Sequence, residues 1–494
     1  MDPLVELEQG QIRGTTTAGV TAFLGIPYAS APAGPAMFQA PGPAPRWDGV
    51  RDATAFGPTA PQPPYNKPLD DILENPRLDG EEFLNVNVWT PDPGSAGLPV
   101  MVWIHGGAFR NGSNAVSTYD GANFARDGVV LVSINYRLGA PGFAVLDDAP
   151  HNRGLLDQLA ALRWVQDNVA SFGGDPGRVT IFGESAGAMS VATLLGSPAA
   201  KGLFQRAIMQ SGNGSIVADL ADGRLVARDL AARLGIDATS TDFGALSSAA
   251  VIDAQNALYL DLAANPDPAR YGATTIKNGL GLMPLIPVVD GDIVPHYPID
   301  AIAAGFASDI PLLLGTTTEE MRLFLAPTGI TAGLPAEMLP LMVPRFGGDP
   351  TFIDTYTGNR PGATPGDVLA AIGTDSAFRV PTARFADGHH ASGGETYVYE
   401  FAWRTEHLNM GACHAMELPF VFDTLASGGA QRMTASAPAQ DVADAMHSAW
   451  VSFAHGKDPG WARYDADSRP VMTFDQPESR VVNAPRDDER ALWG

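Results

Sequence analysis

Residues 178–196, RVTIFGESAGAMSVATLLG, constrain this chain more than any other stretch. Residues 179–182 form a β-branched and aromatic run suited to a buried strand. Residues 186–195, rich in Ala, Met and Leu, predict a helix stopped by Gly196 and Pro198. Between them Gly183-Glu184-Ser185-Ala186-Gly187 is a G-x-S-x-G. The turn it predicts is too tight for side chains on its flanks, so Gly183 and Gly187 stand there for want of a Cβ. Ser185 is then held in a strained backbone conformation with its hydroxyl projecting, at the end of a helix that favours negative charge. Strand, sharp turn and helix in that order present a candidate nucleophile on an α/β scaffold.

The rest of the chain fits such a scaffold. Apolar runs at residues 83–90, 99–104, 129–136, 310–314 and 396–401 read as strands, several of them covered on both faces as parallel strands are. Residues 155–169, LLDQLAALRWVQDNV, repeat apolar side chains every three or four positions, the pattern of an amphipathic helix. This alternation predicts an α/β fold, with a mostly parallel central sheet, helices on both faces and right-handed crossovers. Residues 1–30 predict a small antiparallel edge. Proline is dense from residue 32 to 76, which predicts irregular wrapping chain, with a Pro-rich flap around residues 58–80. Residues 322–372 predict a helical insertion beside a pocket. No composition break cuts the chain, so residues 1–494 read as one domain.

Fifty-five acidic residues against 31 basic ones give a formal net charge of −24. Such a surface repels nucleic acid and anionic lipid, and disfavours strongly anionic substrates. Cys413 is the only cysteine, so no intrachain disulfide can form, and a buried thiol is expected there. The first residues lack a basic segment followed by an apolar run, and no apolar stretch is long enough to span a bilayer. A soluble cytoplasmic protein, monomer or homodimer, is expected.

A serine hydroxyl needs a base, an oriented carboxylate and donors for the oxyanion. His105-Gly106-Gly107-Ala108-Phe109 follows the run at 99–104, and its glycines let backbone amides approach a carbonyl. Gly106, Gly107 and Ala186 are the expected oxyanion donors. For the acid, residues 310–314 run into Thr316-Thr317-Thr318-Glu319-Glu320. Spacing alone separates neither carboxylate from the other, nor either from a helix cap, because Thr317 and Glu320 also read as a capping box. Six histidines follow. His447 lies in a helical pattern and reads as structural, while His389 and His390 read as part of a polar loop. His414 lies in a non-periodic loop after a strand, as a reaching base should.

With these residues assembled, the chain resembles the type B carboxylesterases of the α/β-hydrolase fold, which include bacterial para-nitrobenzyl esterases and cholinesterases. The resemblance rests on GIPY from Gly25, LNVNVWTP after Glu81-Glu82, HGG at His105, NYRLGAPGF from Asn135, FGESAG from Phe182 and GLFQRAIMQSG from Gly202. It implies Ser185 as nucleophile, Glu320 as acid, His414 as base in a G-x-x-H-x-x-E-L setting, and Ser211 as a buried polar support. It also implies hydrolysis of small to medium, uncharged aryl or alkyl esters without metal or organic cofactor. A carbamate or amide hydrolase with the same triad, or a silent binding module on the same scaffold, are the alternatives. Phe83 stands where eukaryotic members carry a disulfide cysteine, so a choline site is not expected.

Overall fold

The computed structural model describes residues 2–435 and 438–494. Its strands in chain order are β1 (Leu4–Leu7), β2 (Gly10–Arg13), β3 (Thr15–Thr17), β4 (Val20–Pro27), β5 (Val50–Asp52), β6 (Asn85–Thr90), β7 (Leu98–Ile104), β8 (Val130–Ile134), β9 (Gly174–Glu184), β10 (Arg206–Gln210), β11 (Ala218–Asp219), β12 (Val288–Val289), β13 (Leu312–Thr317), β14 (Thr396–Phe401), β15 (Pro470–Phe474) and β16 (Arg480–Asn483). Eleven of them form one sheet in the order β16-β15-β14-β13-β10-β9-β7-β8-β6-β4-β3. From β15 to β8 every neighbour is parallel. The antiparallel strands β6, β4 and β3 extend one side and β16 closes the other. The expected N-terminal edge is therefore present and wider than residues 1–30. The run at 83–90 joins it as β6, buried on all six residues.

Side-chain alternation divides the core between the two sheet faces. Val100, Val102 and Ile104 of β7 pack with Leu155, Leu159, Val191 and Leu194 on one face. Met101 and Trp103 pack with Phe182, Met446 and Trp450 on the other. The helices Arg153–Asn168 and Ala186–Leu195 cover the first face, and Gln440–Ala454 covers the second. Arg137, from the NYRLGAPGF block, is fully buried and grips Asp157 of the helix Arg153–Asn168 through Nε (2.8 Å) and Nη2 (2.6 Å). The pair locks that helix to the loop after β8.

Chain direction explains where the site forms. From β7 the chain moves one way across the sheet to β8, and β9 lies on the other side of β7. The C-terminal ends of β7 and β9 thus flank a topological switch point, where a crevice opens above a parallel sheet. Residues 322–372 fold as short helices, among them Arg322–Leu325, Leu339–Met342, Phe352–Gly358 and Pro365–Thr374, around a small core of Leu339, Val343, Tyr356, Val368, Leu369 and Ile372. No helix among the described residues is long and apolar enough to cross a membrane.

Candidate active site

Ser185 sits at the end of β9 with φ 54° and ψ −123°, a conformation that a residue with a Cβ occupies only under constraint. Its amide donates to Gln210 O at 2.9 Å and its carbonyl accepts from Met189 N at 2.9 Å, which fixes the turn from both sides. A Cβ on Gly187 would stand 2.0 Å from Ile104 O, and one on Gly183 would stand 2.6 Å from the Gly187 carbonyl carbon. The glycine requirement read from the motif is therefore steric. Within residues 179–195 only Ser185 escapes full burial.

The loop after β7 meets this turn. A Cβ on Gly106 would reach 3.1 Å from Ser185 Cβ, so backbone lies directly against the candidate nucleophile. Gly107, Ala108 and Phe109 follow with φ of 109°, 56° and 56°. Among the described residues the amides of Gly106, Gly107 and Ala186 donate no hydrogen bond. The same is true of Ala108, which sequence reasoning passed over for lack of a glycine. His105 supports the loop. Burial lowers its imidazole to about pKa 4, so it is neutral, and its Nδ1–H donates to Gly106 O at 2.8 Å. Its ring stacks on Tyr136, whose hydroxyl donates to His105 O at 2.9 Å.

Glu320 and His414 meet in a buried contact of 2.6 Å between Oε2 and Nδ1. The other oxygen of Glu320 accepts from the Ser211 hydroxyl at 2.6 Å and from the Thr317 amide at 2.8 Å. The fold decides between acid and cap: the helix Arg322–Leu325 has Met321 as its N-cap, so Thr317 caps no helix, and Glu320 touches the imidazole while accepting from the Thr317 amide. The Thr317 hydroxyl makes no reciprocal bond. Glu319 turns the other way, accepting from the Ala412 amide at 3.0 Å and pairing with Arg404 at 3.2 Å, so it braces the loop that carries His414. The rings of Phe378 and Phe324 lie 4.8 and 5.5 Å from the imidazole.

Three of the other five histidines that follow Glu320 are held elsewhere in the fold. His389 and His390 belong to the helix Val380–Ala391, not to a polar loop. The glycine at 388 that suggested a loop is carried inside that helix, and His389 is buried with Nδ1 2.8 Å from Thr396 Oγ1. His447 bonds Val421 O at 2.7 Å and Asp127 at 3.0 Å, a structural role. Cys413 is buried, and burial pushes its thiol well above its usual pKa.

Two carboxylates beside the Glu320–His414 pair were not read from the sequence. Glu184, the variable residue of the motif, has Oε1 3.0 Å from His414 Nε2, although the contact is not aligned as a hydrogen bond. Glu417 is fully buried, accepting from Gln210 Nε2 at 3.2 Å while its second oxygen has no partner. Burial raises the pKa of both carboxyls. The Glu320 charge adds to this for Glu184, and Glu184 and then Glu320 add to it for Glu417. Burial alone would lower His414, but Glu184 and then Glu320 outweigh it and raise the imidazole above its usual value. The only local signals were one acidic residue inside G-x-S-x-G and one three places after the histidine.

The Pro-rich segment is tied to the chain that follows the glycine loop after β7. Thr59 and Leu78 bond each other at its neck, and the Gln62 amide pairs with both backbone groups of Gly112 at 2.8 Å. No group of three or more His, Cys, Asp or Glu side chains that could hold a metal occurs among the described residues.

Comparison with known proteins agrees with this architecture. The carboxylesterase family profile matches residues 1–493. The chain is 38% identical to the para-nitrobenzyl esterase of Bacillus subtilis, covering 99% of this chain and 97% of that one. It is 33% identical to the phenmedipham hydrolase of Pseudarthrobacter oxydans over 97% and 96% of the two chains. Among solved structures, a PNB esterase superposes with a TM-score of 0.85 at 36% identity over 100% and 99% of the chains. A carboxylesterase of Geobacillus stearothermophilus gives the same TM-score and identity over 99% and 100%. The chain belongs to the carboxylesterase family, has the α/β-hydrolase fold and is a carboxylic ester hydrolase.

Proposed function

We propose that Ser185 attacks the ester carbonyl while His414 takes its proton on Nε2, and that the amides of Gly106, Gly107 and Ala186 hold the oxyanion. Collapse expels the alkoxide, which takes that proton from His414, and leaves an acyl-serine. Water, deprotonated by the same imidazole, then releases the acid and restores the serine. Glu320, held by Ser211 and the Thr317 amide, keeps the proton of the neutral imidazole on Nδ1 and stabilises the imidazolium. The observation that carries this reading is the buried 2.6 Å contact of His414 Nδ1 with Glu320 Oε2. Supporting it, the other ring nitrogen faces the residue that precedes Ser185.

The aromatic walls at Phe324 and Phe378 suit aryl or alkyl esters of small to medium size. We propose that residues 58–80 and 322–372 shape this pocket on a single catalytic domain. Acidic composition and one cysteine favour a cytoplasmic location. Carbamates and amides remain within reach of the same triad. The test is a panel of para-nitrophenyl esters of graded acyl length, beside an anilide and a carbamate, together with labelling by an organophosphonate. Labelling of Ser185 and loss of all turnover in Ser185→Ala are expected. Near-full esterase activity in that variant would overturn the assignment, and an unlabelled Ser185 would point to a silent binding module.

A further inference from the structure

Arg110 is the cation nearest in sequence to the proposed oxyanion donors, and among the described residues it has no counter-charge. Its amide and that of Asn111 donate to Gly107 O at 3.0 and 2.8 Å, which anchors its backbone to the same loop. Its guanidinium is half-buried. Nη2 donates to Asn256 Oδ1 at 2.6 Å, the group lies 4.5 Å from the Tyr259 ring centroid, and Nε is buried with no partner. It forms no ion pair among the described residues. Other sheltered arginines differ: Arg137, Arg322, Arg360 and Arg379 each meet a carboxylate, and Arg153 is wrapped by four backbone carbonyls.

A partly desolvated cation bonded only to neutral groups is costly, and a carboxylate arriving beside it relieves that cost. Arg110 belongs to the loop that lies against Ser185, where a Cβ on Gly106 would stand 3.1 Å from Ser185 Cβ. Asn111, next in the chain, donates through Nδ2 to Pro63 O at 2.7 Å, which ties this loop to the Pro-rich segment that carries Tyr65. Burial lowers the pKa of Arg110, as expected for a charge without a partner.

We propose that Arg110 is a specificity-determining residue that receives a carboxylate carried by the ester substrate, so that the enzyme accepts esters bearing one free carboxylate, such as half-esters of dicarboxylic acids. This rests on the Ser185 mechanism proposed above. It refines the expectation of uncharged substrates: the net charge of −24 acts at long range and is screened within about 8 Å at physiological salt, whereas a contact ion pair in the pocket is not.

The test uses two matched pairs of esters at one fixed ionic strength. Mono-para-nitrophenyl adipate against para-nitrophenyl hexanoate puts the charge on the acyl side. Para-(butanoyloxy)benzoate against its methyl ester puts it on the alcohol side. In at least one pair the wild-type ratio of kcat/KM, charged over neutral, is expected near or above unity. It should fall roughly tenfold or more in Arg110→Met, as a lost charge-assisted bond implies, with Arg110→Lys recovering part. Any general loss of activity cancels in the ratio. An unchanged ratio in both pairs overturns the proposal, as does a wild-type ratio below about one hundredth in both, a result that needs no variant. Wild-type protein inert toward all four esters would instead sink the esterase mechanism itself.

Discussion

Ser211→Ala isolates the support of Glu320, the proposed triad acid. The Ser211 hydroxyl donates to Glu320 Oε1 at 2.6 Å, and neither side chain touches solvent. Removing it leaves that oxygen with the Thr317 amide alone. A hydrogen bond to a charged group contributes about 1.5–3 kcal/mol net. At about 2.1 cal/mol/K of unfolding entropy per residue, a chain of 494 residues loses roughly 1 °C of Tm per kcal/mol, so Tm should drop by about 1.5–3 °C. In the proposed mechanism the same bond fixes the carboxylate that stabilises the imidazolium, so kcat should fall between about tenfold and a hundredfold with little change in KM. Ser211 has φ 50°, and Ser211→Gly relieves that strain by about 1 kcal/mol. The glycine variant should therefore be more stable than the alanine one yet equally slow. The assay is para-nitrophenyl acetate turnover beside thermal unfolding of all three proteins. A lowered Tm with kcat within twofold of wild type would refute the orienting role and leave Ser211 purely structural.

Other consequences can be measured in parallel. The proposed base, His414, acts only when unprotonated, and its pKa is raised, so kcat/KM should climb with pH through a midpoint above the usual histidine value of about 6.5. Glu184→Gln removes the foremost charge raising it, so that midpoint should move to lower pH, and an unmoved pH profile would count against the Glu184 contact. Gly106→Ala would put a Cβ 2.7 Å from Glu184 O and 3.1 Å from Ser185 Cβ. A loss of about 10²–10³ in kcat is expected on para-nitrophenyl esters, the size of one oxyanion donor; turnover equal to wild type would mean that the loop does not bear on the oxyanion. Asp157→Ala strands the buried Arg137 and should cost about 3–5 kcal/mol in urea unfolding, while the folded fraction keeps its kcat. A cost below about 1 kcal/mol would show that Arg137 is satisfied without its partner.

Local chemistry made the turn at Ser185 readable from one dimension. The steric need at Gly183 and Gly187 arises within five residues, and strand and helix propensities on either side agree with it. The same holds for β7 and its glycine loop, where apolar alternation and missing side chains are properties of neighbouring residues. Choosing among carboxylates was different. Glu319 and Glu320 are adjacent, and the motif spacing serves a cap as well as an acid, so only the likeness to known esterases favoured Glu320 before folding brought His414 against it. His389 and His390 were misplaced because Gly388 reads as a break, whereas packing of the helix Val380–Ala391 carries it through.

Glu184, Glu417 and Arg110 mark the limit most clearly. A carboxyl or guanidinium looks the same in a sequence whether water or protein surrounds it. Its charge state and partners follow from desolvation and from groups tens or hundreds of residues away, and these exist only once the sheet has assembled. Short-range sterics and periodicity are written residue by residue along the chain, but electrostatics in a closed crevice is a property of the assembled fold.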